Sequence, residues 1–244
     1  MRQTVRVFPT AADVAKEGAK ILITIAREKP NAAIALSGGS TPKAMYEALR
    51  GFSHEDANAL RAAQYFFGDE RSVDNYHRDS NVALAVNEFA KALKIPYRQI
   101  EAPDGAAVNL DEEAARLTHR LYERVADNDA GIPAFDLVFL GMGTDGHTAS
   151  LFPQTAALAS STVGFVANEV HQMNTWRLTL TYPVINSARK VVILCTGENK
   201  ADVLKKIFSG TGGEYPITKI KGADVEWLLD AAAAAELPTG IGAR

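Results

Sequence analysis

The sequence predicts an α/β protein in which a mainly parallel sheet is flanked by helices. Short apolar runs alternate along the chain with longer amphipathic segments, which is the pattern of successive strand and helix units. The chain has 244 residues, of which 47% are hydrophobic, so it can bury a large core. We therefore expect one α/β domain over residues 1–244.

The first strand and helix units lie in the N-terminal quarter of the chain. Residues 14–27 carry apolar side chains at helical spacing, and residues 32–36 form a compact apolar strand that ends at a Ser-Gly-Gly turn. Pro42 then stands where the first turn of a helix tolerates proline, so we expect a helix over residues 43–50.

The middle of the chain repeats this organisation. Residues 64–67 (Gln-Tyr-Phe-Phe) are typical of a strand, and a polar loop leads from them to a predicted helix over residues 80–93. Residues 111–126 predict another helix. Residues 135–140, which are apolar except for Asp136, predict the next strand, and a glycine-rich loop follows it at residues 141–147.

The last third contains two further strands and two helices. Residues 177–181 alternate in hydrophobicity, and residues 190–195 are apolar after Lys190, so both segments predict strands. We expect a helix over residues 199–208 and a final helix over residues 225–235, where an alanine run has high helix propensity. Residues 103–109 and 238–244 are predicted to be loops.

Composition excludes several classes of protein. Lys and Arg number 26 against 29 Asp and Glu, for a net charge of −3, and the absence of a basic stripe argues against a nucleic-acid partner. No apolar stretch approaches the roughly 20 residues that span a bilayer, and the N-terminus has no secretory pattern, so we expect no membrane partner and a cytoplasmic location. Cys195, the only cysteine, lies in an apolar run, which predicts a buried thiol in a reducing compartment.

Four polar clusters stand immediately after predicted strands. The carboxyl ends of parallel strands meet at one edge of a sheet, where ligands bind. The sequence therefore predicts one pocket built from four distant segments, at residues 37–41, 68–71, 141–147 and 196–200.

The first cluster has the chemistry of an anion site. Its glycines allow the backbone close approach, its hydroxyl groups can donate, and a helix N-terminus follows; its residues are Ser37, Gly38, Gly39, Ser40 and Thr41. A simple helix cap is an equally good interpretation. The cluster lacks the Gly-Lys-Ser/Thr ending of an ATP-binding loop and the third glycine of a dinucleotide fingerprint, so we expect no cofactor.

The second and fourth clusters each provide a cation. Asp69 and Arg71 follow a strand, and Arg71 can bind a phosphate or carboxylate oxygen, although a salt-bridged turn is the alternative. Lys200 stands in the first turn of a predicted helix, where a solvated lysine is the commoner outcome.

The third cluster, residues 141–147, contains three glycines, and Asp145 and His147 bracket the last of them. A histidine held there can act as a general base near neutral pH; a helix-capping aspartate beside a surface histidine is the alternative. A catalytic triad is disfavoured, because we expect Ser150 in the first turn of a helix and find no Gly-x-Ser-x-Gly elbow. No ligand spacing predicts a metal. The other four histidines are predicted to be at the surface, and Met142 and Trp176 to be packing residues.

The sequence motifs of these four clusters resemble those of the 6-phosphogluconolactonase family, whose relatives include the glucosamine-6-phosphate deaminases. The resemblance covers nearly the whole chain, and its most specific string is Gly-Met-Gly-Thr-Asp-Gly-His-Thr-Ala-Ser-Leu-Phe-Pro at residues 141–153. The deaminases share its Asp-Gly-His core but continue with Ile-Ala-Phe-Asn-Glu-Pro. Gly-Asp-Glu-Arg at residues 68–71 also has the lactonase form. Thr144 and residues 74–79 depart from the usual pattern.

The resemblance implies a three-layer α/β/α fold with a mainly parallel, Rossmann-like sheet. It also implies hydrolysis of 6-phospho-D-glucono-1,5-lactone to 6-phospho-D-gluconate, a step of the oxidative pentose phosphate pathway, without metal or cofactor. His147 would activate water, Asp145 would orient or polarise the site, and Arg71 or backbone N–H groups would stabilise the carbonyl oxygen. The substrate phosphate would be held by residues 37–41, Arg177 and Lys200, with Asp69 also at the substrate.

Two other functions remain open from the sequence. A deaminase or isomerase of an amino-sugar phosphate needs a carboxylate base, and Asp69 can serve. A non-catalytic sugar-phosphate sensor would keep the pocket but normally carries an output domain, for which a single α/β unit of this length leaves no room. The expected partner is a small phosphorylated sugar lactone, and the chain is expected to act as a monomer or homodimer.

Overall fold

The computed structural model describes residues 2–242. Nine strands and eight α-helices are found in this part of the chain. Their bounds, in chain order, are β1 Arg2–Phe8, α1 Ala11–Glu28, β2 Ala33–Leu36, α2 Ser40–Ala48, α3 His54–Ala62, β3 Gln64–Phe67, β4 Asp69–Arg71, α4 Asn81–Ala85, α5 Lys91–Leu93, α6 Leu110–Arg124, β5 Leu137–Leu140, β6 Phe165–Val170, β7 Thr175–Leu180, α7 Tyr182–Ser187, β8 Val191–Cys195, α8 Ala201–Phe208 and β9 Asp224–Asp230.

Six strands form the central sheet in the order β1-β9-β8-β5-β2-β3. Every neighbouring pair in it is parallel. Side chains alternate between its two faces, so each face has its own apolar core. Leu36, Phe67 and Phe139 pack with α1, α2, α3 and the α4–α5 segment on one face, whereas Val138 and Ile193 pack with α6, α7 and α8 on the other. The predicted three-layer, mainly parallel fold is confirmed.

Register places the ends of the central strands side by side. Leu36 at the end of β2 pairs with Phe67 at the end of β3, and Leu140 at the end of β5 pairs with Ile193 in β8. The residues that follow these strands therefore emerge at one edge of the sheet, which is the edge where the sequence predicts a pocket.

The prediction of a final helix over residues 225–235 is wrong, because residues 224–230 form β9 between β1 and β8. Val225, Trp227 and Leu229 face one core and Leu228 faces the other, so burial on both faces overrides helical propensity. The alanine run at residues 231–235 lies in turns rather than a helix.

A second, three-stranded antiparallel sheet has the order β4-β7-β6. In this small sheet only β7 is predicted from the sequence, as residues 177–181, whereas β4 and β6 are not. In the central sheet, the edge strand β1 is also not predicted. The predicted helix over residues 80–93 is present but contains a π turn at Val86–Ala90 between α4 and α5. Within residues 2–242, none of the helices combines the length and apolar character needed to span a bilayer.

Candidate active site

The four polar clusters meet at one cavity of about 330 Å³, within the range of small-molecule sites. Most of the predicted site residues line it: Ser37, Gly38, Gly39, Ser40, Thr41, Asp69, Arg71, His147 and Lys200. Asp145 and Arg177 are not among the lining residues. Asp145 contacts His147 instead, and Arg177 lies beside Arg71.

His147 and Asp145 form a hydrogen-bonded pair. The Nδ1 atom of His147 lies 2.6 Å from Oδ1 of Asp145, and the same oxygen accepts a bond of 3.1 Å from the His147 backbone N–H. A carboxylate only accepts, so Nδ1 carries a proton, and in the neutral form of the ring Nε2 has the free lone pair. An imidazole in this tautomer can take a proton from a group at Nε2.

The loop conformation that makes this pair depends on its glycines. A Cβ atom on Gly143 would lie 2.2 Å from Nδ1 of His147, and Gly146 has a φ of +72° and packs against Tyr215. The His147 ring also stacks on Phe152, with ring centroids 4.0 Å apart. Partial burial alone raises the pKa of Asp145, but the hydrogen bond and the charge of His147 outweigh it and lower that pKa overall.

The predicted helix after this loop is absent. Residues 148–151 form a turn in which Thr148 and Leu151 are bridged and Ala149 has a φ of +47°. Ser150 is consequently not in a first helical turn; it is buried, and its Oγ donates a bond of 2.6 Å to Oδ2 of Asp69.

The glycine-rich turn after β2 presents the start of α2 to the cavity. Gly39 is the N-cap residue with a φ of +102°, and no side chain caps this helix, so the simple helix-cap interpretation does not hold. The first N–H groups of the helix have no partner within the helix. The Ser37 carbonyl accepts a bond of 2.6 Å from the Tyr46 hydroxyl, and Gly38 packs against Asn81.

Arg71 and Arg177 face each other across β4 and β7. Arg71 donates to the backbone carbonyl of Asp79 and has no ion-pair partner in the described part of the chain, so the alternative of a salt-bridged turn is wrong. Burial, and secondarily the charge of Arg71, lower the pKa of Arg177. Two neighbouring cations that form no ion pair with a carboxylate of residues 2–242 favour an anionic ligand.

The neighbouring Glu70 has a structural role. It is fully buried and accepts from the backbone N–H groups of Asn81 and Val82 and from the Ser80 hydroxyl. Burial raises its pKa, and the backbone bonds oppose that shift. The carboxylate is therefore turned away from the cavity and fixes the start of α4.

Lys200 reaches the cavity from the turn before α8. This turn is held by Asp230 at the end of β9, whose carboxylate accepts a bond of 3.0 Å from the Gly197 N–H. Thr196 contacts Thr41, with 2.8 Å between the two hydroxyl oxygens. Lys200 makes no salt bridge within residues 2–242, which leaves its ammonium group available to a ligand.

Several residues near the site were not identified from the sequence. Ser150, Asn81 and Asp230 hold its parts in place, and of these only Asn81 had a local signal, because it begins a predicted helix. Thr196, by contrast, lies in the predicted cluster at residues 196–200. Cys195 lines the cavity, but burial raises its thiol pKa to about 12, so the thiol stays protonated near neutral pH.

The remaining predictions on single residues have mixed outcomes. The four other histidines are exposed as expected, and Met142 and Cys195 are buried. The prediction that Trp176 is a packing residue is wrong, because its side chain is 43% exposed on β7. Within residues 2–242, no group of three or more His, Cys, Asp or Glu side chains is arranged to hold a metal ion.

Comparison with known proteins adds the family. Residues 9–229 match the family described as glucosamine-6-phosphate isomerases/6-phosphogluconolactonase. The chain belongs to this family.

Individual relatives agree with this assignment. The chain is 36% identical to a 6-phosphogluconolactonase of Nostoc over 97% of its own length and 99% of the relative. It is 40% identical to one of Synechocystis over 83% of both chains. The solved structure of the Trypanosoma brucei 6-phosphogluconolactonase superposes with a TM-score of 0.82 at 30% identity, covering 97% of this chain and 99% of that one.

Proposed function

We propose that this protein hydrolyses 6-phospho-D-glucono-1,5-lactone to 6-phospho-D-gluconate, as a carboxylic ester hydrolase of the oxidative pentose phosphate pathway. The main support for the proposal is the position of His147. Its Nδ1 is hydrogen-bonded to Asp145, and the residue lines a cavity rich in anion-binding groups. The names of the relatives from Nostoc and Synechocystis support the same reaction.

In the proposed reaction, Nε2 of His147 removes a proton from water as its oxygen attacks the lactone carbonyl carbon. The carbonyl oxygen becomes negative in the tetrahedral intermediate, and Arg71 or backbone N–H groups of the glycine loops stabilise it. One such donor contributes on the order of 3 kcal/mol. The bond between the carbonyl carbon and the ring oxygen then breaks, and the imidazolium returns its proton to that oxygen, which becomes a hydroxyl group.

Asp145 supports this step by fixing the tautomer and stabilising the imidazolium. No covalent intermediate is required, because a lactone is already an ester open to attack by water. The proposed step uses only groups of this chain and takes no metal or cofactor.

The substrate phosphate is proposed to bind at the start of α2. The uncapped N-terminus of that helix, the glycine turn and Lys200 supply N–H groups and a positive charge, and Arg177 supplies a further cation beside Arg71. Binding the remote phosphate positions the lactone carbonyl and contributes to rate as well as affinity.

A deaminase or isomerase of glucosamine 6-phosphate is the competing function, since the family includes such enzymes and Asp69 lines the cavity. The two are separated by two assays on the same preparation. We expect rapid hydrolysis of freshly generated 6-phosphogluconolactone, above the spontaneous rate, and no ammonia release from glucosamine 6-phosphate. Ammonia release without lactone hydrolysis would reverse the assignment.

We propose that the protein acts as a monomer or a homodimer, with the cavity lined by residues of all four clusters in each chain. The unpaired, buried Cys195 fits a reducing compartment such as the cytoplasm.

A further inference from the structure

Ser150 connects the loop that bears His147 to the strand that bears Asp69 and Arg71. Its hydroxyl donates a bond of 2.6 Å to Oδ2 of Asp69, and its backbone N–H donates a bond of 3.2 Å to the Thr179 hydroxyl. Asp69 and Thr179 are directly opposite each other in the β4–β7 pair. Ser150 therefore contacts both strands at one register position.

Every polar group of Ser150 has a partner, because its carbonyl accepts a bond of 2.9 Å from Nδ2 of Asn168. The residue is 1% exposed, so its hydroxyl cannot turn to water. The left-handed conformation of Ala149 reverses the chain and directs Ser150 toward the small sheet. This arrangement gives the hydroxyl one fixed acceptor.

Asp69 is the carboxylate that this bond controls. It is the only acidic residue among those lining the cavity in the described part of the chain. Its Oδ2 is occupied by Ser150, whereas Oδ1 has only a bond of 3.3 Å from Nδ2 of Asn81. The free acceptor capacity of Asp69 thus lies mainly on Oδ1, which can accept from a sugar hydroxyl.

We propose that Ser150 is a positioning residue for the reaction, acting through Asp69. By holding Oδ2 it fixes the direction in which Oδ1 accepts from a substrate hydroxyl, and it keeps the His147 loop in register with that carboxylate. This inference rests on the proposed function, since it assigns a role at the same site.

The test compares Ser150→Ala with a matched control, Thr155→Val. Thr155 is also a buried hydroxyl in the same polar network, bonded to Asn168 and to the Phe152 carbonyl, but it does not contact Asp69. Loss of a hydrogen bond to a charged group predicts a fall in kcat/KM of about 10- to 100-fold for Ser150→Ala. Thr155→Val is expected to retain kcat/KM within about threefold of wild type while losing comparable thermal stability.

A double-mutant cycle with Asp69→Ala, which removes the acceptor of the Ser150 hydroxyl, separates positioning from general destabilisation. If Ser150 acts through Asp69, Ser150→Ala should change kcat/KM by less than about threefold once Asp69 is already replaced. An effect that persists at full size in the Asp69→Ala background overturns the proposal. So does an equal loss of activity in Ser150→Ala and Thr155→Val.

A binding measurement keeps this test independent of the proposed reaction. Calorimetric titration with 6-phosphogluconate should show weaker binding to Ser150→Ala than to wild type or Thr155→Val. If the wild type binds this compound but hydrolyses no lactone, the proposed function fails while the titration still tests Ser150. Equal affinity in all three proteins overturns the role given to Ser150.

Discussion

Oδ1 of Asp145 accepts two hydrogen bonds from the same residue, one from the ring Nδ1 of His147 and one from its backbone N–H. The aspartate therefore fixes both the position of the histidine and its tautomer. In the proposed reaction this leaves Nε2 as the proton acceptor, and the consequence can be tested at each of the two residues.

Replacement of His147 by alanine should remove the general base. General acid–base catalysis typically contributes about 10²- to 10⁴-fold, so we expect kcat/KM for the lactone to fall by that factor. Initial rates after subtraction of spontaneous hydrolysis provide the measurement. His119→Ala is the matched control, because His119 is exposed on α6. Activity of His147→Ala within about threefold of wild type would contradict the general-base role assigned to this residue.

Asp145→Asn tests the tautomer. An asparagine amide can donate to Nδ1, which would place the ring proton on Nε2 and block proton acceptance there. We expect kcat to fall by about 100-fold with little change in KM. Asp129→Asn, at an exposed turn, should be neutral. An unchanged kcat in Asp145→Asn would show that the carboxylate does not set the state of His147.

Lys200→Ala should weaken binding of the phosphate while the chemical groups stay in place. Loss of a charge-assisted bond predicts a rise in KM of about 10-fold or more for 6-phosphogluconolactone. The unphosphorylated glucono-1,5-lactone serves as the matched substrate, and its kcat/KM should be the same in variant and wild type. Equal losses for both lactones would contradict a phosphate-binding role.

Gly38→Ala should disturb the phosphate turn. A Cβ atom there would lie 1.7 Å from Oδ1 of Asn81, and Asn81 is buried and holds the backbone carbonyl of Asp69. Overpacking of this kind costs about 1–3 kcal/mol in the free energy of unfolding. Urea denaturation measures it, with Gly51→Ala as the control, since nothing lies within 4 Å of a Cβ atom at Gly51. Equal stability of the two variants would refute the predicted clash.

Glu226 on β9 predicts a pH-dependent contribution to stability. Burial alone raises its pKa, but bonds from Lys190 (2.7 Å) and Arg6 (3.0 Å) outweigh burial and lower it. A depressed pKa means that the contribution is present above the unfolded-state value and is lost as the pH falls through the folded-state value.

Glu226→Gln should accordingly lower the free energy of unfolding by about 1–2 kcal/mol at pH 7, because its partners are partly exposed. The difference from wild type should shrink as the pH is lowered below the usual glutamate pKa of 4.5. Urea titrations at neutral and acidic pH measure this. Asp202→Asn, in an exposed helical pair with Lys206, is the control. A difference that does not vary with pH would show that the Glu226 charge is not responsible.

The sequence by itself determined the strand and helix units of the central sheet and the clusters that follow them. Residues 32–36 and 137–140 are apolar throughout because parallel strands are buried on both faces, and this pattern is visible in the sequence alone. The sequence also predicted that the four polar clusters meet at one site, because the carboxyl ends of parallel strands lie at one edge of the sheet. The clusters are residues 37–41, 68–71, 141–147 and 196–200.

Only the tertiary structure decided the elements and contacts that depend on distant partners. Residues 224–230 form a strand because they pair with β1 on one side and β8 on the other. Local helix propensity contains no information about these distant pairing partners. Ser150 lies 81 positions from Asp69 along the chain, and Arg71 meets Arg177 only through the β4–β7 register. Long-range packing sets these relationships, whereas periodicity and turn chemistry report only neighbours along the chain.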